Sequence, residues 1–221
     1  MEFKVSLYDR PGGQLMDKDT VMLYVPENIA NQQLPDEELL AFYQDLENRV
    51  LWIDDEISDL SLLYVKNILR WNKEDNDIPV EQRKPIKLLF HSVGGDLDIQ
   101  AMISNIITLS KTPIIGIAMG MVASAAAYIF LNCHKRYMLP SSYFLFHKGS
   151  IGVNGSANDV LSLIEDYQEQ LDTLIRKIVS STDFTEKEVM DNIGMDWYVR
   201  APLALEKKVV DKVIDDISDL Y

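Results

Sequence analysis

The chain has 221 residues, 47% of them hydrophobic and 25% charged, with a formal charge of −14. This is an ordinary globular composition, long enough to bury a sizeable core, and its acidity excludes a general nucleic-acid binder and adsorption to anionic membranes. Cys133 is the one cysteine, which excludes an intrachain disulfide framework and a cysteine-based zinc site and fits a reducing compartment. Met1-Glu2-Phe3-Lys4 carries an acid early and no apolar run follows, so no export signal is expected there.

In chain order, Phe3 to Tyr8 and Thr20 to Val25 read as strands, joined as a loose hairpin around Pro11-Gly12-Gly13. Asn28 to Pro35 is a polar connector, and Asp36 opens an acidic helix through about Leu46. Arg49 to Ile53 reads as a strand. Asp59 to Trp71 is an amphipathic helix with Leu60, Leu63, Val65 and Ile68 on its stripe, and Asn72 to Lys84 a charged loop. From Pro85 the pattern becomes regular. Ile86 to Phe90 is a strand, Gly94-Gly95 a turn, and Asp96 an N-cap for a helix with Ile99, Met102, Ile103, Ile106 and Leu109 as its apolar stripe.

Pro113 to Cys133 carries no charge, a length at which a membrane span becomes a candidate. Its two halves differ, however. Ile114 to Met119 reads as a buried parallel strand, Gly120 breaks it, and Ser124 to Leu131 is a good helix former. A strand, a tight turn and a helix account for the run without lipid. Arg136 to Leu139 and Tyr143 to Phe146 are short strands around Pro140. Asn158 to Ser181 is a long helix, with Val160, Ile164, Tyr167, Leu171, Leu174 and Ile178 at three- and four-residue steps. Thr185 with Glu188 is a capping box, and Val209-Val210 with Val213-Ile214 closes the fold as a strand. Alternating strands and helices imply an α/β fold with a largely parallel sheet.

Histidine is scarce: only His91, His134 and His147 could serve as a base. No HExxH pattern and no phosphate-binding loop occurs, so neither a zincin site nor ATP hydrolysis is expected. Three features converge on a hydrolase. Gly94-Gly95, between strand and helix, can aim a bare backbone N–H at an oxyanion, although a plain tight turn has the same sequence. Ser124 stands among small residues at a strand-to-helix junction, beside free helix N–H groups, although packing alone also selects serine there. His147 ends a strand, where it can point into a cleft.

In this order and spacing the segments resemble the proteolytic subunit of the Clp protease (ClpP). They are Phe90-His91-Ser92-Val93-Gly94-Gly95, Met119 to Ala126, Leu139-Pro140 to Phe146-His147, Gly155 to Asp159, and Asp196-Trp197-Tyr198-Val199-Arg200-Ala201-Pro202. The resemblance runs from about Arg49 to Ile214. It implies a ClpP/crotonase-like α/β fold of repeated β-β-α units with a protruding long handle helix, about 158–181. Residues 1–48 would be an N-terminal extension (hairpin plus acidic helix) and 49–221 the catalytic domain. Ser124 would be the nucleophile, His147 its base and Asp196 the group that orients the imidazole, with the N–H groups of Gly95 and Ala125 as oxyanion hole. Asp191 is the competing carboxylate.

The resemblance further implies a cytoplasmic serine endopeptidase of self-compartmentalising type. It would degrade unfolded polypeptides as a homo-oligomer, a heptameric ring or a double ring, with no cofactor, no metal, no nucleic acid and no membrane. An AAA+ unfoldase or a ClpP paralog would be its partner. Departures from the family pattern are His91 and Val93 before the glycines, Lys148-Gly149 after the histidine, Gly194-Met195 before the aspartate, Lys87 and Leu89 at the strand where relatives carry aromatics toward the ATPase, and the long N-terminal part. They leave open a non-catalytic ring subunit that assembles with an active paralog. A capsid-maturation peptidase of similar fold also stays open. A crotonase acting on acyl-CoA is disfavoured by the presence of all three triad residues.

Overall fold

A computed structural model describes residues 37–149, 152 and 154–220. The hairpin expected between Phe3 and Val25 lies outside the described residues. Chain contacts divide the protein into two units, Met1–Tyr43 and Gln44–Tyr221. The described part of the first is the opening of helix α1 (Glu37–Glu47), which starts on Glu37 and Glu38, acids suited to a positive helix end.

The second unit is built on one sheet. β1 (Val50–Ile53), β2 (Ile86–Ser92), β3 (Ile114–Ala123), β4 (Lys135–Met138) and β7 (Lys212–Val213) pair in that order, all parallel. Parallel neighbours need crossovers, which α2 (Leu62–Glu74), α3 (Leu97–Leu109) and α4 (Ala125–Phe130) provide. β3 serves two partners. Residues Ile115 to Ala118 pair with β4, and Met121 to Ala123 pair with β5 (Tyr143–Phe146). β6 (Trp197–Arg200) then adds antiparallel to β5. This second branch carries the candidate site.

The uncharged run divides into the expected strand and helix, with one difference: Gly120 does not break the strand, which continues to Ala123. A Cβ on Gly120 would lie 2.4 Å from Nδ1 of the exposed His91 ring. Every residue of α4 is buried, so the helix is apolar because protein surrounds it. No helix among the described residues is long and apolar enough to cross a membrane.

Two apolar stripes sit differently from expectation. α3 buries Gln100, Ile103, Ser104 and Ile107, while Met102 and Leu109 are exposed. In α2 the buried face is Val65, Asn67, Ile68 and Trp71, and Leu60 lies in the preceding 3-10 turn, 84% exposed. Both helices carry apolar residues nearly all round, so periodicity alone could not choose the face. The stretch expected as a charged loop also holds a buried acid. Asp75, at the C-cap of α2, accepts two bonds from the Arg49 guanidinium at 2.6 and 2.8 Å and a third from Thr112 Oγ1 at 2.8 Å. Hydrogen bonding from the guanidinium, more than that from Thr112, holds its carboxyl below the usual range against the opposing effect of burial. This cluster ties together the approaches to β1 and β3 and the end of α2.

The long helix α5 (Ala157–Ser181) starts on a capping box formed by Ser156 and Asp159. It buries only Leu174, Ile175 and Ile178, so its core contacts come from its last turns. The expected final strand shortens to β7, Lys212–Val213. On the sheet face away from the main core, Leu89, Ile117 and Ile214 form a second apolar cluster, covered in part by Leu220. Lys87 Nζ donates to the Leu220 carbonyl at 2.6 Å there.

Candidate active site

Ser124 occupies the corner between β3 and α4 with φ 50° and ψ −128°. A non-glycine residue at positive φ costs about 1–3 kcal/mol and persists only where its surroundings impose it. Here the surroundings are explicit. Its N–H donates to the Leu145 carbonyl at 2.9 Å, continuing the β3–β5 ladder by one residue. Its carbonyl accepts from the N–H groups of Ala127 and Tyr128 at 2.9 and 3.3 Å, which starts α4. The chain therefore turns sharply at Ser124 and lifts its side chain off both strand and helix, leaving it partly exposed.

The glycine pair closes on the same corner. Gly94 has φ 96°, and a Cβ on it would lie 2.7 Å from both Ala123 O and Ser124 Cβ and 2.9 Å from Ala125 N. Only a hydrogen fits between this loop and the serine. Gly95 has φ 148°, and a Cβ there would lie 2.3 Å from Ile57 O. The loop is pinned by Ile57 N–H to Gly94 O at 2.8 Å and Asp96 N–H to Ile57 O at 2.9 Å. Ser92 Oγ completes it, donating to Asp55 O at 2.6 Å and accepting from Gly94 N–H at 3.2 Å. These bonds use the N–H groups of Gly94 and Asp96. The N–H groups of Gly95 and of Ala125, first residue of α4, have no protein acceptor among the described residues. Free N–H groups beside a serine at a helix start are the donors that a developing oxyanion needs.

The β5–β6 ladder brings histidine and aspartate together. Phe146 pairs with Trp197, so the next antiparallel step places His147 opposite Asp196. Nδ1 of His147 and Oδ1 of Asp196 are 3.5 Å apart. The strand β5, which ends one residue before His147, also supplies, through Leu145, the carbonyl that fixes Ser124. The register thus sets His147 and Asp196 side by side just past the end of the strand that holds Ser124. Aromatic packing holds the ladder: Trp197 contacts Phe146 and Phe184 with ring centroids 5.7 and 4.7 Å apart. The competing carboxylate, Asp191, is instead ion-paired with Lys187 on α6 (Glu186–Asn192).

Of the other histidines, His134 accepts the Ile114 N–H at 3.0 Å through Nδ1 and His91 packs on Gly120, so neither joins the corner. Two positioning residues escape a reading of the sequence. Ser92 is hidden inside a strand. Tyr167 falls on the apolar stripe of α5, yet its hydroxyl donates to the carbonyl of Lys148, next to His147. Gly149, at φ 74°, lies against the same hydroxyl. A polar-tipped aromatic on an otherwise aliphatic stripe is the available signal. Among the described residues no cluster of His, Cys, Asp or Glu could hold a metal ion.

A strained serine elbow with free backbone donors, on a mostly parallel α/β sheet, places the chain among folds that support acyl-transfer chemistry. The profile of the Clp protease family matches residues 36–216, and the chain belongs to that family. Among curated relatives, the ATP-dependent Clp protease proteolytic subunit 2 of Treponema pallidum is 30% identical over 186 residues, covering 83% of this chain and 90% of the relative. The ATP-dependent Clp protease proteolytic subunit of Paracoccus denitrificans is 29% identical over 149 residues, covering 66% and 72%. Among solved structures, a point mutant of ClpP1 from Listeria monocytogenes superposes with a TM-score of 0.69 at 19% identity over 82% of this chain and 99% of that one. That likeness shows the ClpP fold.

Proposed function

We propose that this protein is an active serine endopeptidase subunit of ClpP type that cuts unfolded polypeptides through an acyl-enzyme. The observation that supports the reading is the strained elbow at Ser124, held by β5, together with the His147–Asp196 pair that follows the end of that same strand. His147 takes the hydroxyl proton of Ser124 as Oγ attacks the peptide carbonyl carbon. The carbonyl oxygen becomes an oxyanion held by the N–H groups of Gly95 and Ala125. The C–N bond then breaks and the amine leaves with the proton from His147. Water, deprotonated in turn by His147, hydrolyses the ester and restores Ser124. Asp196 keeps the imidazole in the tautomer that can accept the proton and stabilises its charged form.

The assembly proposed is a heptameric ring, singly or as a face-to-face pair, working in the cytoplasm with an AAA+ unfoldase. α5 supports it: Leu161 and Leu163 are exposed on a helix that buries only its last turns. The domain reading proposed is an N-terminal extension, 1–48, that gates entry to a catalytic domain, 49–221. A competing reading, a non-catalytic ring subunit paired with an active paralog, draws on one observation. The His147–Asp196 separation of 3.5 Å exceeds the roughly 2.7–2.9 Å of a charge-assisted bond, and the Asp196 side chain is 59% exposed. Fluorogenic peptide hydrolysis by the purified chain, alone and with Ser124→Ala, separates the two. Activity that disappears with the serine, while sedimentation shows the same oligomer, supports the peptidase. Equal rates from both forms, or none from either, refute it.

A further inference from the structure

The two residues that flank His147 are each held by a tyrosine, one from α4 and one from α5. On the strand side, the Tyr128 ring packs edge-on against Phe146, with centroids 5.9 Å apart. The same residue reaches the serine through its backbone, since its N–H donates to the Ser124 carbonyl at 3.3 Å. On the loop side, the Tyr167 hydroxyl donates to the Lys148 carbonyl, and the Lys148 N–H donates to the Ile193 carbonyl at 3.2 Å. Both backbone polar groups of Lys148 are therefore tied, one to α5 and one to the C-cap of α6. A Cβ on Gly149 would lie 3.0 Å from the Tyr167 hydroxyl, so the chain passes close over the phenol.

Such a hold matters at this histidine. The Asp196 carboxylate stands 3.5 Å from it and is mostly exposed, which makes it a weak restraint on the imidazole. His147 also lies beyond the last pair of the β5–β6 ladder, Phe146 with Trp197. Its backbone is fixed through its neighbours, Phe146 by packing and Lys148 by hydrogen bonds.

A separate observation concerns the Tyr128 hydroxyl. It is fully enclosed and has no hydrogen-bond partner among the described residues. A buried O–H without an acceptor is destabilising, and phenylalanine would fill the same place without that cost. Packing on Phe146 thus accounts for the ring and not for the oxygen. α4 and α5 touch, and the phenol of Tyr167 lies within electrostatic reach. Burial first, and that phenol second, push the Tyr128 hydroxyl above the usual tyrosine range. Tyr167 spends its one O–H on Lys148, which leaves the lone pairs of its oxygen free to accept.

Resting on the peptidase reading above, we infer that Tyr128 and Tyr167 are positioning residues that clasp His147 from either side, and that the Tyr128 O–H closes onto the Tyr167 oxygen when substrate engages the site. Catalytic hydrogen bonds that are long in a free enzyme commonly tighten in this way. Donation then runs from Tyr128 to Tyr167 to the Lys148 carbonyl, and each O–H has an acceptor. A hydroxyl that accepts becomes a better donor, so the bond to Lys148 strengthens. Both phenols stay neutral and no proton is transferred. The pair acts on the reaction through the placement of the imidazole.

The test removes single oxygen atoms. Full-length wild type, Tyr167→Phe, Tyr128→Phe and the double variant are compared in kcat and KM on a fluorogenic peptide and in the rate of fluorophosphonate labelling of Ser124, at a temperature where circular dichroism shows each to be folded. Tyr167→Phe is expected to lower kcat and the labelling rate by about tenfold, the cost of a displacement below 1 Å, with KM changed by less than about twofold. Tyr128→Phe is expected to lower both rates by about threefold, and by less than about 1.5-fold where residue 167 is already phenylalanine. In a His147→Ala background Tyr167→Phe should slow the residual labelling no further, because the clasp acts through the imidazole. Tyr137→Phe, in the apolar cluster on the other face of the sheet, keeps the wild-type rates. A Tyr167→Phe protein that labels at the wild-type rate overturns the clasp and leaves the peptidase reading standing. Equal slowing in the His147→Ala background overturns it too, since the effect is then a general loosening of the elbow. A Tyr128→Phe protein that melts higher than wild type with unchanged kcat removes Tyr128 from the clasp. If wild type takes no label on Ser124, the peptidase reading falls and the clasp with it.

Discussion

Replacing Gly94 with alanine tests the closeness of loop and serine on which the site depends. The new methyl would start 2.7 Å from Ala123 O, 2.7 Å from Ser124 Cβ and 2.9 Å from Ala125 N. All three are backbone or Cβ atoms, so no side chain can rotate out of the way. Residue 94 also sits at φ 96°, where an L side chain is strained by about 1–3 kcal/mol. Relief of the contacts adds to that, for a total of about 2–4 kcal/mol, within the range of overpacking costs. At about 2–4 °C per kcal/mol for a chain of this size, the melting temperature should drop by about 5–15 °C. The catalytic cost should be larger than the stability cost implies. The loop can escape only by moving the Gly95 N–H away from Ser124, and a misplacement of about 1 Å costs on the order of 10²-fold in rate. Circular dichroism melts together with the rate of fluorophosphonate labelling at a temperature where the variant is folded measure both. A variant that melts within about 2 °C of wild type and labels at the wild-type rate refutes the geometry argued for the elbow.

Gly120→Ala is the matched control: its methyl would meet the exposed His91 ring, which can swing aside, so the expected cost is below about 1 kcal/mol by urea unfolding. Asp75→Ala removes the nearest partner of the Arg49 guanidinium, 13% exposed, leaving it the Lys84 carbonyl at 3.0 Å and Glu74 at 3.9 Å, and should cost about 3 kcal/mol, the low end for a broken buried pair, in the same assay. Because the folded-state pKa of Asp75 is depressed, its contribution is fully present above the unfolded value of about 3.9 and is lost as pH falls through the lower folded value. Wild type should therefore lose its advantage over Asp75→Ala in acid, below about pH 4, and a constant difference from pH 7 to pH 2 contradicts the assignment. Asp196→Asn should leave the melting temperature nearly unchanged, since the side chain is 59% exposed, and should lower peptide turnover by orders of magnitude, about 10⁴ at most. Unchanged turnover in that variant removes Asp196 from the mechanism.

The sheet and the long helix were legible because their signals are local. Ile114 to Met119 is apolar and rich in Ile, and α5 repeats Val160, Ile164, Tyr167, Leu171, Leu174 and Ile178 at three- and four-residue steps. The serine elbow was legible from small residues at a strand-to-helix junction, and the glycine loop from the doublet itself. The faces of α2 and α3 were not, because residues such as Leu60 and Met102 are apolar yet point outward. The Arg49–Asp75–Thr112 cluster was not legible either, since its bonded pairs are 26 and 37 positions apart and only the closed sheet brings them together. The pairing of His147 with Asp196 came from resemblance, and its physical cause, the Phe146–Trp197 rung of an antiparallel ladder, needed the register.

The central claim is that Ser124 is an activated nucleophile. Intact mass after fluorophosphonate treatment, with peptide mapping of the adduct, tests it most directly. One adduct per chain is expected, on Ser124, absent from Ser124→Ala and strongly slowed in His147→Ala but not in His91→Ala or His134→Ala. A folded protein that takes no adduct, or takes it on another serine at the same rate in Ser124→Ala, contradicts it.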